Sequence, residues 1–449
     1  MSIEHDDSEF QDDASWTSPE VEHWSEGPVT TPERDPFYTA PDGFESAPSG
    51  SLLRTRPVRI GVFGRIRQRV QAWQLLYRTE DLQRVPRVTV TTVLLPAGAL
   101  PDASRPLLSY QCAIDAVSGR SFPSYALRLG SRARGTVPQY EFLLVLHALR
   151  QGWAVSIPDH EGARGRWGAP LEPGYCTLDA VRAAVSFEEL GLSTSTPVAL
   201  WGYSGGGLAS SWAAEAVDDY APELDVVGAV LGSPVGDPAS AFFRLNATPY
   251  AALPTLVIEG LRRTYVELDE VLQEHLTEDG LALLASTGKM TTMQAIVALR
   301  GFDLDRYSTV PIADLMALPE MVTIFEEIQP GRVAPRFPLL VVQATHDQII
   351  AVDDVDGQVD RYRDHGAHVT YIRDRSSEHV TLLPLSVPVT MEWLDHRFEG
   401  REAPPSETTT VWSVALSLLS ARGYLALAGS TMRAVLGLPI SIRRSRRRS

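Results

Sequence analysis

Cysteine is scarce in this chain. Only Cys112 and Cys176 occur in 449 residues, so one disulfide at most can form, and a chain of this length does not need such a staple to hold a core. Buried free thiols are the expectation at both positions. A signal segment is also missing: Met1-Ser2-Ile3-Glu4-His5-Asp6-Asp7 has neither a basic n-region nor an apolar h-region. Retention in the cell, export by another route and prior removal of a leader therefore all stay open, and cytoplasm, cell envelope and exterior remain alternatives. Long apolar runs are lacking too. Residues 411–419, 424–428 and 432–440 are apolar, but Arg422 and Arg433 interrupt them, and nothing reaches the roughly 18 uncharged apolar residues that a membrane-spanning helix needs. Finally there is no surplus of positive charge. A formal charge of -16 argues against a nonspecific nucleic-acid binder, which needs a basic face for phosphates.

What is present describes a soluble globular protein. Hydrophobic residues make up 44% of the chain, mean hydropathy is close to zero, and the length suits a large core with more than one folding unit. Residues 1–50 are acidic and rich in Ser, Thr and Pro, and read as a disordered or surface-wrapped arm. Residues 401–449 form an apolar and basic tail that ends in five arginines. Two placements of this tail stay open. It lies on an anionic membrane with its arginines at the headgroups, or its helices pack on the core and only the arginines are free.

The segment Gly202-Tyr203-Ser204-Gly205-Gly206-Gly207 carries the chemistry. An apolar strand, 198–201, precedes it and an alanine-rich helix, 208–217, follows. The glycines permit a sharp strand-to-helix turn that lifts Ser204 Oγ out of the sheet and aims helix N-terminal N–H groups at whatever it attacks. A lone serine in such a turn can be only an N-cap; as a nucleophile it needs a histidine base and an orienting carboxylate. Both follow in the order serine, acid, histidine. Asp347 leaves the apolar strand 339–342, whereas Asp353, Asp354 and Asp356 read as the start and solvent face of a helix. His379 sits in a loop after strand 369–372. His365 and His368 belong to a turn, and His346 adjoins Asp347 too closely to share its carboxylate, so a surface role is expected for it. The oxyanion needs fixed N–H donors: Gly205, directly after the nucleophile, and a residue in the loop Asp159-His160-Glu161-Gly162, for which the alternative reading is Asp159 as a cap of the following turn and His160 as solvent exposed.

Strands are expected at 88–95, 106–111, 153–157, 198–201, 226–231, 338–344 and 369–372. Helices are expected at 140–150, 176–189, 208–217 and 389–397. This alternation describes a mostly parallel sheet covered on both faces. A short amphipathic helix is expected around 66–76, with the compact unit beginning near residue 88. Between 235 and 335 helical patterns replace strand runs, which reads as a cap or lid inserted between core segments 51–234 and 336–400. Such an insertion after a strand end would roof Ser204.

Taken together, these motifs resemble the secretory lipase family. The likeness runs through Tyr77-Arg78-Thr79, Leu108-Ser109-Tyr110-Gln111, residues 156–162, Gly202-Tyr203-Ser204-Gly205-Gly206, Tyr220-Ala221-Pro222-Glu223-Leu224, Asp347 with Ile349-Ile350, and Glu378-His379-Val380-Thr381. The resemblance implies an α/β-hydrolase with a helical cap that acts on carboxylic esters, including triacylglycerols, without a metal or organic cofactor. It implies Ser204 as nucleophile, Asp347 as acid and His379 as base, with Asp159 and Gly205 forming the oxyanion hole. A short-to-medium-chain carboxylesterase and an acyltransferase share this acyl-enzyme chemistry. The chain departs from the family pattern in its missing secretion signal, its few cysteines and its two extra tails.

Overall fold

The β-branched and apolar runs assemble into one eleven-stranded sheet in a computed structural model that describes residues 21–442. Its strands in chain order are β1 (Glu22–His23), β2 (Leu52–Pro57), β3 (Gln71–Glu80), β4 (Pro86–Leu95), β5 (Leu107–Gln111), β6 (Ala154–Pro158), β7 (Val198–Tyr203), β8 (Val226–Gly232), β9 (Leu339–Ala344), β10 (Val369–Asp374) and β11 (Thr408–Val411). Across the sheet the order is β1-β2-β3-β4-β6-β5-β7-β8-β9-β10-β11. The pairs β2/β3, β3/β4 and β4/β6 are antiparallel. All other neighbours are parallel, and the crossovers between them carry helices onto both faces. This is the mostly parallel α/β-hydrolase sheet that the sequence implies.

Period-two alternation assigns the faces. In β7, Val198 and Leu200 enter one cluster, with the helices Glu172–Ser186, Gly205–Tyr220 and Val352–Asp364. Ala199, Trp201 and Tyr203 enter the other, with the helices Pro138–Gln151, His379–Phe398 and Leu418–Val435. Both cysteines are buried and free.

Two expectations about the first third of the chain need correction. Residues 66–76 are not a helix: a small hairpin, Gly61–Val62 with Ile66–Arg67, leads into the ten-residue strand β3. Trp73, Leu75 and Tyr77 of β3 pack into one cluster. Ala72, Gln74 and Leu76 alternate with them, and Gln74 is buried because its side-chain carbonyl accepts from the Arg56 guanidinium at 2.7 and 2.9 Å. A polar residue that hides its partner elsewhere in the chain disguised a period of two. The compact unit therefore begins well before residue 88. Within residues 21–50, Trp24 donates its backbone N–H to Thr55 at 2.7 Å. Phe37 is fully buried beneath the Arg56 guanidinium, which also pairs with Asp35 at 2.8 Å. The arm's first twenty residues lie outside the described residues.

Residues 235–335 form helices with a core of their own, including Leu256, Leu268, Leu284, Ile312 and Ile324. Val117 and Trp167, from loops beyond strand ends, belong to the same cluster. Polar contacts fasten this unit to the loops that follow β5 and β6. Arg263 donates to the carbonyls of Val117 (3.1 Å) and Arg164 (2.8 Å), and Thr292 Oγ1 donates to that of Ile114 (2.9 Å).

Helix Leu418–Val435 packs on helices Pro138–Gln151 and His379–Phe398. Gly423 lies against Pro388, Tyr424 OH donates to the Leu385 carbonyl at 2.6 Å, and Gln68 donates to Ala434 at 2.9 Å. Helix Leu418–Val435 thus packs on the core by one side, while Leu425, Met432 and Leu436 stay exposed on it and just beyond its end. The arginines at 443–448 lie outside the described residues. Among the described residues no helix is long and apolar enough to cross a membrane.

Candidate active site

Ser204 stands between β7 and helix Gly205–Tyr220 with φ 55° and ψ -121°. A positive φ costs a residue with a side chain on the order of 1–3 kcal/mol and persists only where its neighbours enforce it. Here the Ser204 N–H donates to the Gly232 carbonyl at 2.9 Å, and the Ser204 carbonyl accepts from Leu208 at 3.0 Å. Backbones close in around the turn. A Cβ on Gly202 would fall 2.0 Å from the Gly206 carbonyl oxygen, and one on Gly206 would fall 2.0 Å from that of Gln111. These glycines are needed for close approach. Gly202→Ala should therefore destabilise the protein by about 1–3 kcal/mol or more, as overpacking does. A denaturant midpoint equal to the parent's would contradict this reading of the turn.

The two residues picked out downstream, Asp347 and His379, come together at the elbow. His379 Nε2 is 3.0 Å from Ser204 Oγ, and His379 Nδ1 is 2.7 Å from Asp347 Oδ2. The Asp347 carboxylate is fully shielded from solvent. Its other oxygen accepts the N–H groups of Ile349 (2.9 Å) and Ile350 (2.8 Å), and Gln343 donates to Oδ2 at 3.3 Å. His379 lies not in a loop but at the first residue of helix His379–Phe398, where Glu378 and Thr381 form a reciprocal capping box. Tyr203 contributes unexpectedly: its hydroxyl accepts from Ser233 at 2.9 Å and donates to the His379 carbonyl at 2.5 Å, tying the histidine's backbone to the elbow strand. His346 is exposed. Asp354 is occupied by Ser240 and Arg244, and Asp356 by Tyr371 and Arg373.

The oxyanion assignment divides. Gly205 opens the helix after the nucleophile, where N–H groups have no partner one turn back. Asp159 does not fit. Its N–H continues the β4/β6 ladder by donating to Val90 at 2.9 Å, and its carbonyl accepts from Thr89 at 3.0 Å. Its carboxylate accepts the Ser124 N–H at 2.9 Å as well as the Ser124 hydroxyl. The residue is thus a clamp between β6 and the turn at Ser124. His160 is buried, not exposed, with Nε2 2.8 Å from the Cys112 carbonyl, and burial lowers its pKa to about 4.

The acid that does reach the site is Asp115, in the loop after β5, with φ 45°. It lines one cavity together with Ser204, Gly205 and Trp167. Asp115 Oδ1 lies 2.0 Å, and the Trp167 indole nitrogen 3.2 Å, from where a Cβ on Gly205 would stand, so only glycine fits after the nucleophile. Asp115 Oδ1 is buried without a hydrogen-bond partner. The sequence did hold a signal, a single carboxyl within the apolar run Cys112-Ala113-Ile114-Asp115-Ala116-Val117.

From this polar end the cavity continues beneath the helical unit between apolar walls that include Leu208, Phe242, Val257, Met321, Phe325 and Ile349. Behind its polar end sit four buried carboxyls. Burial raises Asp115 to about 7, Glu141 to about 8 and Asp159 to about 7, and lifts Glu161 well above the ordinary range, with neighbouring carboxyls adding to the shift of Glu141 and Glu161. The native state holds these protons after the unfolded chain, with carboxyls near 4, has released them. Stability from these groups is present in full below that lower value and is lost as pH rises through about 7–8. Melting should accordingly occur at higher temperature at acidic than at mildly alkaline pH. Glu141→Gln, which keeps an acceptor for the Ala113 N–H that Glu141 binds at 2.9 Å, should reduce the difference. An unchanged pH slope in that variant would show that Glu141 is not among the responsible groups.

Comparison with known proteins gives the family. The profile of the secretory lipase family matches residues 127–405. A Mycobacterium tuberculosis protein named a probable inactive lipase is 48% identical over 92% of this chain and 92% of its own. Lipase A of Arthroderma benhamiae is 34% identical over 82% of this chain and 80% of its own, and a secreted triacylglycerol lipase of Malassezia furfur is 31% identical over 83% and 81%. Among solved structures, Candida antarctica lipase A in its closed state superposes with a TM-score of 0.80 over 92% of this chain and 99% of that one, at 24% identity, a likeness of fold. On the family profile and the extent of these identities, the chain belongs to the secretory lipase family.

Proposed function

We propose that the protein hydrolyses carboxylic esters of fatty acyl chains, acylglycerols foremost, through an acyl-enzyme on Ser204. The observation that carries this reading is the hydrogen-bonded series Asp347, His379, Ser204 at the polar end of an apolar cavity. In the reaction His379 Nε2 takes the Ser204 proton as Oγ attacks the ester carbonyl, and later returns a proton to the leaving alcohol. Asp347 holds Nδ1–H and so fixes the tautomer. Gly205 N–H faces the developing oxyanion. Asp115, held partly protonated near neutrality by burial, supplies a carboxyl donor beside it in place of Asp159. Water then attacks the acyl-enzyme by the same route.

The name of the Mycobacterium tuberculosis relative makes activity the first question. Relatives at 31% identity are named both triacylglycerol lipase and trichothecene C-3 esterase; the apolar cavity favours a fatty acyl chain over a compact polar acyl group. Ser204→Ala should lower turnover of a p-nitrophenyl octanoate substrate by on the order of 10³-fold or more. An organophosphonate should label Ser204. An adduct at any other residue would reject the assignment.

The tail supports a contact with anionic lipid, an interface where water-insoluble esters reside. Trp412, Leu416, Leu425, Met432, Leu436 and Ile442 are exposed large apolar side chains within 31 residues of sequence. Residues 408–449 hold seven arginines and no acid in a chain of net charge -16. Such a face inserts its apolar side chains at the headgroup boundary while its arginines meet lipid phosphates. Truncation near residue 408 would strip β11 and a packed helix, so point variants test this better. Leu425→Asp with Leu436→Asp should cut co-sedimentation with phosphatidylserine vesicles several-fold, and high salt should weaken what remains. Equal binding by variant and parent would exclude this face.

A further inference from the structure

Two openings meet at one side chain. Beside the apolar cavity at Ser204 lies a wider, more open cleft between the helical unit and the core, lined by Arg164, Trp212, Arg263, Tyr265, Glu327 and Arg332 among others. Among the described residues, Ile324 alone lines both. It stands on helix Pro319–Glu327 and is buried. The helical period explains its position. Met321 and Phe325 face the cavity, and Ile328 continues that line just past the helix; Glu320, Thr323 and Glu327 face the cleft. Ile324 falls on the boundary between these two stripes, one turn from members of each. The cleft also differs in chemistry, since the Trp212 indole N–H and the Thr264 hydroxyl that border it are buried without partners.

We propose that Ile324 is the specificity-determining septum that sets the longest acyl chain the cavity accepts. The proposal rests on the ester-hydrolase reading of Ser204. An acyl chain gains about fourfold in binding for each methylene that finds apolar cover, so kcat/KM rises with chain length until the cavity is filled. A longer chain must displace Ile324 and enter a polar cleft, where further methylenes gain nothing. Removing the sec-butyl group opens the seam and extends apolar room by the space it filled; a larger ring in its place closes off room on the cavity side.

The test is a p-nitrophenyl ester series from butanoate to stearate, assayed as kcat/KM with the full chain. Ile324→Ala should move the optimum to longer chains and raise the palmitate-to-octanoate ratio about tenfold or more, with the gain levelling off for still longer chains. Ile324→Phe should move the optimum to shorter chains and lower that ratio by a similar factor. Val322→Ala, an exposed position on the same helix, should leave the profile of the parent in place. If either Ile324 variant melts early, Ile324→Val and Ile324→Met must still move the ratio in these two opposite directions. Hydrolysis with one chain-length profile in all variants would overturn the role of Ile324 alone. Absence of Ser204-dependent hydrolysis of any ester in the parent would overturn the underlying reading instead.

Discussion

A serine held at positive φ between a buried strand and a helix is the constraint on which the rest of this structure depends. The conformation survives because the chain offers no Cβ where the backbones of Gly202, Gly206 and Gln111 meet, and because the ladder partner Gly232 accepts the serine N–H. Ser204 Oγ is thereby fixed without a flexible loop. Several other groups at the site are placed by contact with that turn. Gly205 has room only for Asp115 and Trp167, and Tyr203, the residue before Ser204, reaches across to hold the His379 backbone.

The helical unit over the sheet completes the site in a different way. It supplies apolar walls, and its fastening to the loop after β5 through Arg263 and Thr292 stabilises the same loop that carries Asp115. Dryness has electrostatic consequences. Where water is excluded, carboxyls keep their protons: burial raises Asp115 and Asp159 to about 7 and Glu141 to about 8, and it pushes Glu161 upward as well. An acid that can donate a hydrogen bond is useful beside an oxyanion, whereas a permanent carboxylate there would repel it. The burial that makes the cavity apolar also raises the Asp115 carboxyl to about 7, the property on which the proposed donor role rests.

Much of this was legible from local pattern. Apolar strand runs at 88–95, 198–201, 226–231 and 338–344 and the helices between them follow from periodicities of two and 3.6 residues, and each corresponds to an element found. Serine, acid and histidine could be chosen because each stands at the end of such a run. The errors share a feature: a polar residue whose partner lies far away in sequence. Gln74 within β3 needed Arg56 before its strand could be recognised. Asp159 looked like a site residue because its loop is polar and flanks a strand end, yet its hydrogen bonds go to Val90 and Ser124. Asp115, in an apolar run, looked like an isolated acid until the elbow was folded against it.

The sequence by itself determined the sheet, the turn at Ser204, the order of the reacting groups and the presence of a helical insertion, because these depend on residues close in the chain and on rules of pleat, helix period and glycine freedom. Tertiary structure alone decided which acid lies beside Ser204 and Gly205, that the C-terminal helix packs on the core, and that Ile324 borders both cavity and cleft. The reason is physical. Hydrogen-bond partners, desolvation and shared walls are properties of what lies within a few ångströms in space, and for Asp115, Asp159 and Ile324 those neighbours come from distant parts of the chain.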